Sequence, residues 1–444
     1  MANFSKPNVP QFSVDVYQNE YLPEGGREVN AIVTVTATGG GTAPAPLPFS
    51  GGQGPGAAVA IMVDCSGSMD YPKTKMRNAR DATAAAVDTL RDGVHFAVIG
   101  GTHVAKEVYP GGGRLAVADA TTREQAKQAL RRLSAGGGTA IGTWLRLADR
   151  LLSSADVSIR HGILLTDGRN EHESPEDLKA TLDACAGRFT CDARGVGTDW
   201  EVKEVTGIAS ALLGTADIVA DPAGLAADFT RMMETAMGKE VANVSLRLWT
   251  PVGTEITFVK QVAPAVEDLT DRRTEAGPRA GDYPTGSWGD ESRDYHVCVR
   301  VPAAHIGQEM LAARVSLVIP RRDGSADNLG VQGLVRAVWT DDMAASTSIN
   351  PQVAHYTGQA ELAQAIQQGI DLRKAGDIDG ATAKLGRAVQ LASASGNTDT
   401  AKLLAKVVDV VDAATGTVRL KTRVAEADEM TLETRSTKTV RVKK

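Results

Sequence analysis

The stretch "AAVAIMVDCSGSMD", residues 57–70, stays apolar up to Asp64 and then sets out oxygen groups at alternate positions. Asp64, Ser66 and Ser68 come in turn, with Asp70 two residues on. A short apolar run that stops at a polar turn is the pattern of a central strand in a parallel sheet, buried on both faces. Two readings of its end compete. In one, a Ser or Asp caps the next helix; in the other, the oxygens form part of a cation site. A cap needs one such side chain, and three donors at alternate positions exceed that need.

Four further runs repeat the texture: "VHFAVIGG", "RHGILLTDG", "FTCDARGVG" and "TADIVA". Helical patterns separate them, over 73–91, 121–133, 140–154, 175–186, 200–210 and 222–238. Strand–helix alternation over 57–238 predicts an α/β domain with a doubly wound, mostly parallel sheet. Such sheets bind ligands at the carboxyl ends of their strands, near a topological switch point. Two more oxygen-bearing loops fall on that edge. "SAGGGTAIG" places Thr139 after three glycines, and "GILLTDGRN" places Asp167 at the end of an apolar strand. The set is two carboxylates and three hydroxyls, with no His or Cys at equivalent places. Hard oxygen donors suit Mg²⁺, or Mn²⁺ and Ca²⁺, and not Zn²⁺. Mg²⁺ keeps several waters, so positions stay open for a carboxylate from another molecule.

"DCSGS", Thr139 in its glycine loop and the "TDG" holding Asp167, in that order, resemble the metal-ion-dependent adhesion site of von Willebrand factor A domains. The spacings of roughly 75 and 28 residues between the three loops are similar to that family as well. The resemblance covers 57–238. It implies a Mg²⁺ contacted by Ser66, Ser68 and Thr139, with Asp64 and Asp167 holding its waters or the metal itself. It also implies a protein partner that supplies an Asp or Glu. The expected role is an intracellular bacterial scaffold or adaptor that binds protein through Mg²⁺, in a setting such as stress response or kinase and phosphatase signalling.

Outside that segment the texture is different. Residues 1–56 carry strand-like "FSVDV" and "VNAIVTVTA" and then a Gly/Pro-rich linker, "GGGTAPAPLPFSGGQGPG". Residues 239–345 are β-like, interrupted at 267–292 by a polar stretch expected as an exposed loop. The early strands are too few to form a sheet alone, so they are expected to complete one β-sandwich with 239–345, the α/β domain being inserted between its pieces. Residues 353–414 read as a helical hairpin plus a third helix, and 415–444 as a flexible basic tail. In that tail Thr434, Thr437 and Thr439 lie amid Arg and Lys. They are possible phosphorylation sites for a Ser/Thr kinase, which a forkhead-associated (FHA) domain could then read.

Composition narrows the classes further. The 444 residues carry a net charge of −6 and 4% aromatics, which speaks against a nucleic-acid surface. No apolar stretch reaches the ~18 residues of a membrane span, and the amino terminus has no secretory h-region. Four scattered cysteines, of which Cys185 and Cys191 are near enough in sequence to pair or to hold a metal, suggest reduced thiols in the cytoplasm. A metal-dependent hydrolase is the alternative to a binding module. It needs a base beside the metal, and His161 and His172 are the nearest histidines in sequence to Asp167. No nucleophile-elbow, phosphate-loop or zinc-deaminase signature occurs, so an enzyme is not expected.

Overall fold

The structure, a computed structural model, describes residues 10–39, 56–321 and 323–442. The Gly/Pro-rich linker lies, but for its two end residues, outside them, as does the stretch before residue 10. The described chain divides into two compact units. One comprises 56–242 with 286–289; the other comprises 10–39, 243–285 and 290–442.

The first unit is built on a mixed sheet. Its strand order is Ala216–Val219, Thr190–Val196, Ile159–Thr166, Ala57–Asp64, His95–Gly101 and Ala105–Tyr109. The first five run parallel; Ala105–Tyr109 and the short Ala116–Val117 pair antiparallel to His95–Gly101. Helices alternate with the strands: Thr74–Thr89, Ala120–Leu130, Ile141–Ser153, Pro175–Cys185, Val202–Ala211 and Leu225–Met237. Val59, Ile61 and Val63 of the central strand are fully buried in one cluster with Met76, Ala79, Phe229 and Met233. Each such side chain contributes about 1.5–3 kcal/mol relative to exposure. Ala57–Asp64 has His95–Gly101 on one side and Ile159–Thr166 on the other, so the segments leaving its carboxyl edge diverge. That is the topological switch point, and it opens a crevice at Asp64.

Among the described residues the second unit carries three further sheets, two of them large. Glu28–Thr38 pairs antiparallel with both Gln11–Gln18 and Glu291–Arg300, which brings the early strands into one sheet with later ones. The other large sheet contains Val241–Trp249, Glu309–Pro320 and Ala326–Trp339. The sheets pack face to face where Gly333 meets Val14 and Val16; a Cβ on Gly333 would stand 2.9 and 2.7 Å from their methyls. The stretch 267–292, expected as a loop, instead holds strands Thr274–Gly277 and Ala280–Trp288. Polarity misled the reading where a charged residue is buried against a partner outside the stretch: Arg247 donates twice to Asp282, at 2.7 and 2.8 Å.

Helices Pro351–Lys374, Ile378–Ser395 and Thr398–Val407 follow. The third was expected to run to about 413 but stops at Val407, and Val408–Asp412 pairs as a strand with Thr417–Leu420. A valine-rich run favours extended backbone. The segment expected as a flexible tail is ordered. Beyond that hairpin it holds helix Glu426–Arg435, with Leu432 fully buried, and then lies along strand Glu255–Ala263 and the residues after it. Thr437 O accepts from Val266 N–H at 2.8 Å, Thr439 N–H donates to Pro264 O at 3.0 Å, and His355 Nε2–H donates to Val440 O at 2.7 Å. Among the described residues, no helix is long and apolar enough to cross a membrane.

Candidate metal centre

Asp64 ends the central strand with its carboxylate fully buried. Ser66 N–H donates to Asp64 Oδ1 at 2.8 Å, and the Thr166 hydroxyl donates to Oδ2 at 2.7 Å. The turn that follows caps no long helix. Residues Gly67–Asp70 form a single 3-10 turn without a side-chain cap, and helix Thr74–Thr89 begins at Lys73, again without one. The alternating oxygens are therefore not consumed by capping. Cys65 turns into the apolar core, where burial pushes its thiol up to about 12. Asp70 is exposed.

Backbone bonds lace the three loops together. Gly67 N–H donates to Gly137 O at 2.9 Å and Gly136 N–H to Cys65 O at 2.8 Å. The glycines allow this approach, and Gly137 has a positive φ that suits no larger residue. Thr139 then precedes helix Ile141–Ser153, whose free amides are satisfied from the third loop. Asn170 Oδ1 accepts from Ile141 N–H at 2.7 Å, and Glu173 Oε2 accepts from Gly142 N–H at 2.8 Å. His172 N–H donates to Thr139 O at 2.9 Å.

The result brings all five oxygen-bearing residues to one place. Ser66 Oγ and Ser68 Oγ are 2.9 Å apart, and the Ser68 hydroxyl donates to Asp167 Oδ1 at 2.7 Å. A Cβ built on Gly168 would stand 3.1 Å from Ser68 Oγ, 3.7 Å from Thr139 Oγ1 and 3.9 Å from Ser66 Oγ. Three hydroxyls thus converge on a space that glycine leaves free. Behind them, burial lifts Asp64 to about 6; the neighbouring Asp167 adds to that rise, and the bonds from Ser66 and Thr166 oppose it. Two neighbouring buried carboxylates need positive charge beside them, and Lys75 at Asp167 supplies only part of it. The donors fit a hard divalent ion, being oxygen throughout. No group of three or more His, Cys, Asp or Glu able to hold a metal occurs among the described residues.

The sequence reading missed Thr166, Asn170 and Glu173, and with them a charged residue on an acid of the site. Lys75 Nζ reaches Asp167 Oδ2 at 2.7 Å and Asp199 Oδ2 at 3.3 Å. Burial works against its charge, but the bonds and charges of Asp167 and Asp199 prevail and raise its pKa. A signal existed: position 75 is in phase with Ala79, Ala82 and Ala86 on the buried stripe of its helix. A lysine in the first turn of a helix also opposes the dipole.

The two histidines weighed as a base for hydrolysis, His161 and His172, each have partners of their own. His161 lies five residues before Thr166 on the same strand, roughly 16 Å along it. Its ring is held between Thr190 Oγ1 and Asp192 Oδ2, each at 2.9 Å. Burial works to raise Asp192, but His161 and Arg194 hold it below the usual carboxylate range. His172 is exposed at the rim, and its Nδ1 accepts from Thr139 N–H at 3.3 Å. The four cysteines are free and buried. The three threonines read as kinase targets sit in ordered chain. Thr434 is buried and its hydroxyl donates to Met430 O at 2.7 Å; Thr439 Oγ1 donates to Val262 O at 2.7 Å. A kinase would reach Thr434 only after the helix opens.

Comparison with known proteins places this geometry in context. Residues 57–218 match the von Willebrand factor type A domain, and residues 390–436 match the von Willebrand factor type A C-terminal domain. A solved structure of a von Willebrand factor type A protein from Catenulispora acidiphila is 52% identical. The match covers 99% of each chain with a TM-score of 0.92. The ArnB paralog VWA2 from Sulfolobus acidocaldarius is 13% identical over 96% of this chain and 98% of its own, with a TM-score of 0.60. The human COPII-coat protein Sec24c is 9% identical over 87% of this chain and 57% of its own, with a TM-score of 0.52. The last two share the fold. No curated protein matches the sequence.

Proposed function

The chain belongs to the von Willebrand factor type A family, and from that premise we propose that it is a protein-binding module working through a divalent cation. Ser66, Ser68 and Thr139 would hold the ion, with Asp64 and Asp167 behind them. When bound, the ion supplies a Lewis-acidic position that can accept a carboxylate from an Asp or Glu of a protein partner. The observation that carries the reading is the convergence of three hydroxyls over Gly168 against two buried carboxylates. Mg²⁺ is the first choice, with Mn²⁺ and Ca²⁺ as alternatives, because every donor is a hard oxygen.

The chain's own residues have distinct parts in this. Thr166 and the Ser66 amide fix the Asp64 carboxylate, the glycine loop carries Thr139 inward, and Asn170 and Glu173 pin the helix behind it. Each of these parts holds a donor in place, and a binding module asks no more of them. Four buried free thiols favour a reducing compartment such as the cytoplasm.

The test is capture of partner proteins by the full chain in Mg²⁺ and in EDTA, alongside Asp64→Ala and Thr139→Ala. The reading expects EDTA and both variants to abolish capture while far-ultraviolet ellipticity stays unchanged. Capture that survives chelation and both substitutions overturns it.

A further inference from the structure

Lys75 places an ammonium on one of the two carboxylates that the proposed ion also needs. Asp167 is fully buried, its Oδ1 takes the Ser68 hydroxyl, and its Oδ2 takes Lys75 at 2.7 Å. The same ammonium lies 3.3 Å from Asp199, which is 71% exposed at its side chain and is the one other acid it touches among the described residues. The lysine is thus poised between an inner and an outer carboxylate. We propose that Lys75 is a built-in competitor for the cation: it neutralises Asp167 when the site is empty and swings to Asp199 when an ion takes its place. The proposal rests on the divalent-ion reading above.

Charge shows what the device achieves. With Lys75 on Asp167, the carboxylates of Asp64 and Asp167 and the ammonium together leave one negative charge. An entering ion must first displace the ammonium onto Asp199, breaking a contact that a site without the lysine would not have. With Lys75 on Asp199, the loaded site of Asp64, Asp167 and a divalent ion is neutral. Lys75 therefore weakens binding of the ion without changing the charge of the loaded site.

Mn²⁺ alone is the probe, titrated calorimetrically into the full chain, with thermal melts in EDTA and in Mn²⁺. Lys75→Met removes the competitor and leaves Asp167 without its counter-charge. It should bind Mn²⁺ at least tenfold more tightly than wild type, melt lower in EDTA, and gain more from Mn²⁺. Asp199→Asn, an exposed change that leaves packing intact, removes the outer resting place and should weaken Mn²⁺ about threefold. In a Lys75→Met background the Asp199 change should have no effect, whereas plain surface electrostatics would add. Equal or weaker Mn²⁺ binding by Lys75→Met, or an Asp199 effect that persists without the lysine, overturns the proposal and leaves the ion site standing. Should Lys75→Met fail to fold, the proposal is decided by Asp199→Asn alone, where unchanged binding overturns it. Absence of Mn²⁺ binding in wild type and both variants brings down the ion site itself, and the proposal with it.

Discussion

Gly168→Ala asks whether the space shared by the three hydroxyls is where an ion sits. The added methyl would stand 3.1 Å from Ser68 Oγ, 3.7 Å from Thr139 Oγ1 and 3.9 Å from Ser66 Oγ. For the fold this is a small insult. The tightest neighbour is a hydroxyl at the end of a short side chain, which can turn aside. Gly168 is not among the glycines at positive φ, and alanine loses less backbone freedom on folding, a gain of about 0.4–1 kcal/mol where the conformation allows it. The net effect on metal-free stability should stay within about 1 kcal/mol. For an ion the insult is severe. A hard cation holds oxygens at about 2.0–2.1 Å and keeps water on its remaining positions, and a methyl among the three donors can neither coordinate nor make room. Mg²⁺ or Mn²⁺ affinity should fall at least tenfold, about 1.4 kcal/mol. Titration calorimetry reads the affinity, and urea titration in EDTA reads the fold. Gly67→Ala is the control, since its Cβ would meet only Gly137 O at 3.5 Å, an ordinary contact; it alters the same loop without reaching the hydroxyls. Undiminished ion binding by Gly168→Ala, with Gly67→Ala equal to it, would refute the placement of the ion among Ser66, Ser68 and Thr139.

Two further outcomes concern the second unit. His296, buried and bonded through Nε2 to Asn30 Oδ1 at 2.9 Å, is held down to about 4 by burial and then by Lys260. Its folded pKa lies below the unfolded value near 6.5, so the unfolded chain binds the extra proton. Stability is then full above pH 6.5 and falls toward pH 4, by up to about 3 kcal/mol; His296→Gln should flatten that slope in urea titrations, and an unchanged slope would sink the idea. Deleting residues 437–444 removes the bonds at Val266, Pro264 and His355 and the Arg441 contact to buried Asp294 at 3.3 Å. At about 1 kcal/mol per bond, hydrogen exchange in helix Pro351–Lys374 should speed up by more than tenfold, whereas loss of a flexible tail would leave it unmoved.

The sheet and the five oxygen-bearing residues were legible in the sequence for a physical reason. A strand buried on both faces must be apolar along its whole length, so Ala57–Asp64 and Ile159–Thr166 announce both themselves and the place where they stop. Whatever polar group stands at the stop lies on the carboxyl edge of the sheet, and the topology gathers such groups. Thr139 was found the same way, because three glycines before a helix permit a close backbone approach. The supporting residues were not legible. Asn170 and Glu173 act on amides of Ile141 and Gly142 about thirty residues earlier, and nothing near either pair in the sequence announces the bond. Lys75 could have been found from its phase, but phase alone cannot say which carboxylate receives it.

The carboxyl-terminal segment shows why charge-rich sequence is a poor guide to disorder. A run of charged residues stays disordered when it cannot bury enough apolar surface to offset chain entropy, and that judgement counts only what the segment carries itself. Here the missing partners lie on helix Pro351–Lys374. Its basic end supplies Arg373 to Glu429 at 2.9 Å and Lys374 to Glu433 at 2.7 Å. With those acids matched, helix Glu426–Arg435 lays Met430 and Leu432 inward, and Leu432 joins the cluster of Leu362, Ile366, Leu385 and Leu404. The segment beyond it then lies along Glu255–Ala263 and Pro264–Val266. What read as a solvated basic tail is half of an interface whose other half lies sixty to nearly two hundred residues earlier. A phosphate added at Thr434 would enter that packed interface beside buried Glu433, where like charge and burial both oppose it. Modification there would therefore act by undoing the fold of the helix and not by displaying a docking motif.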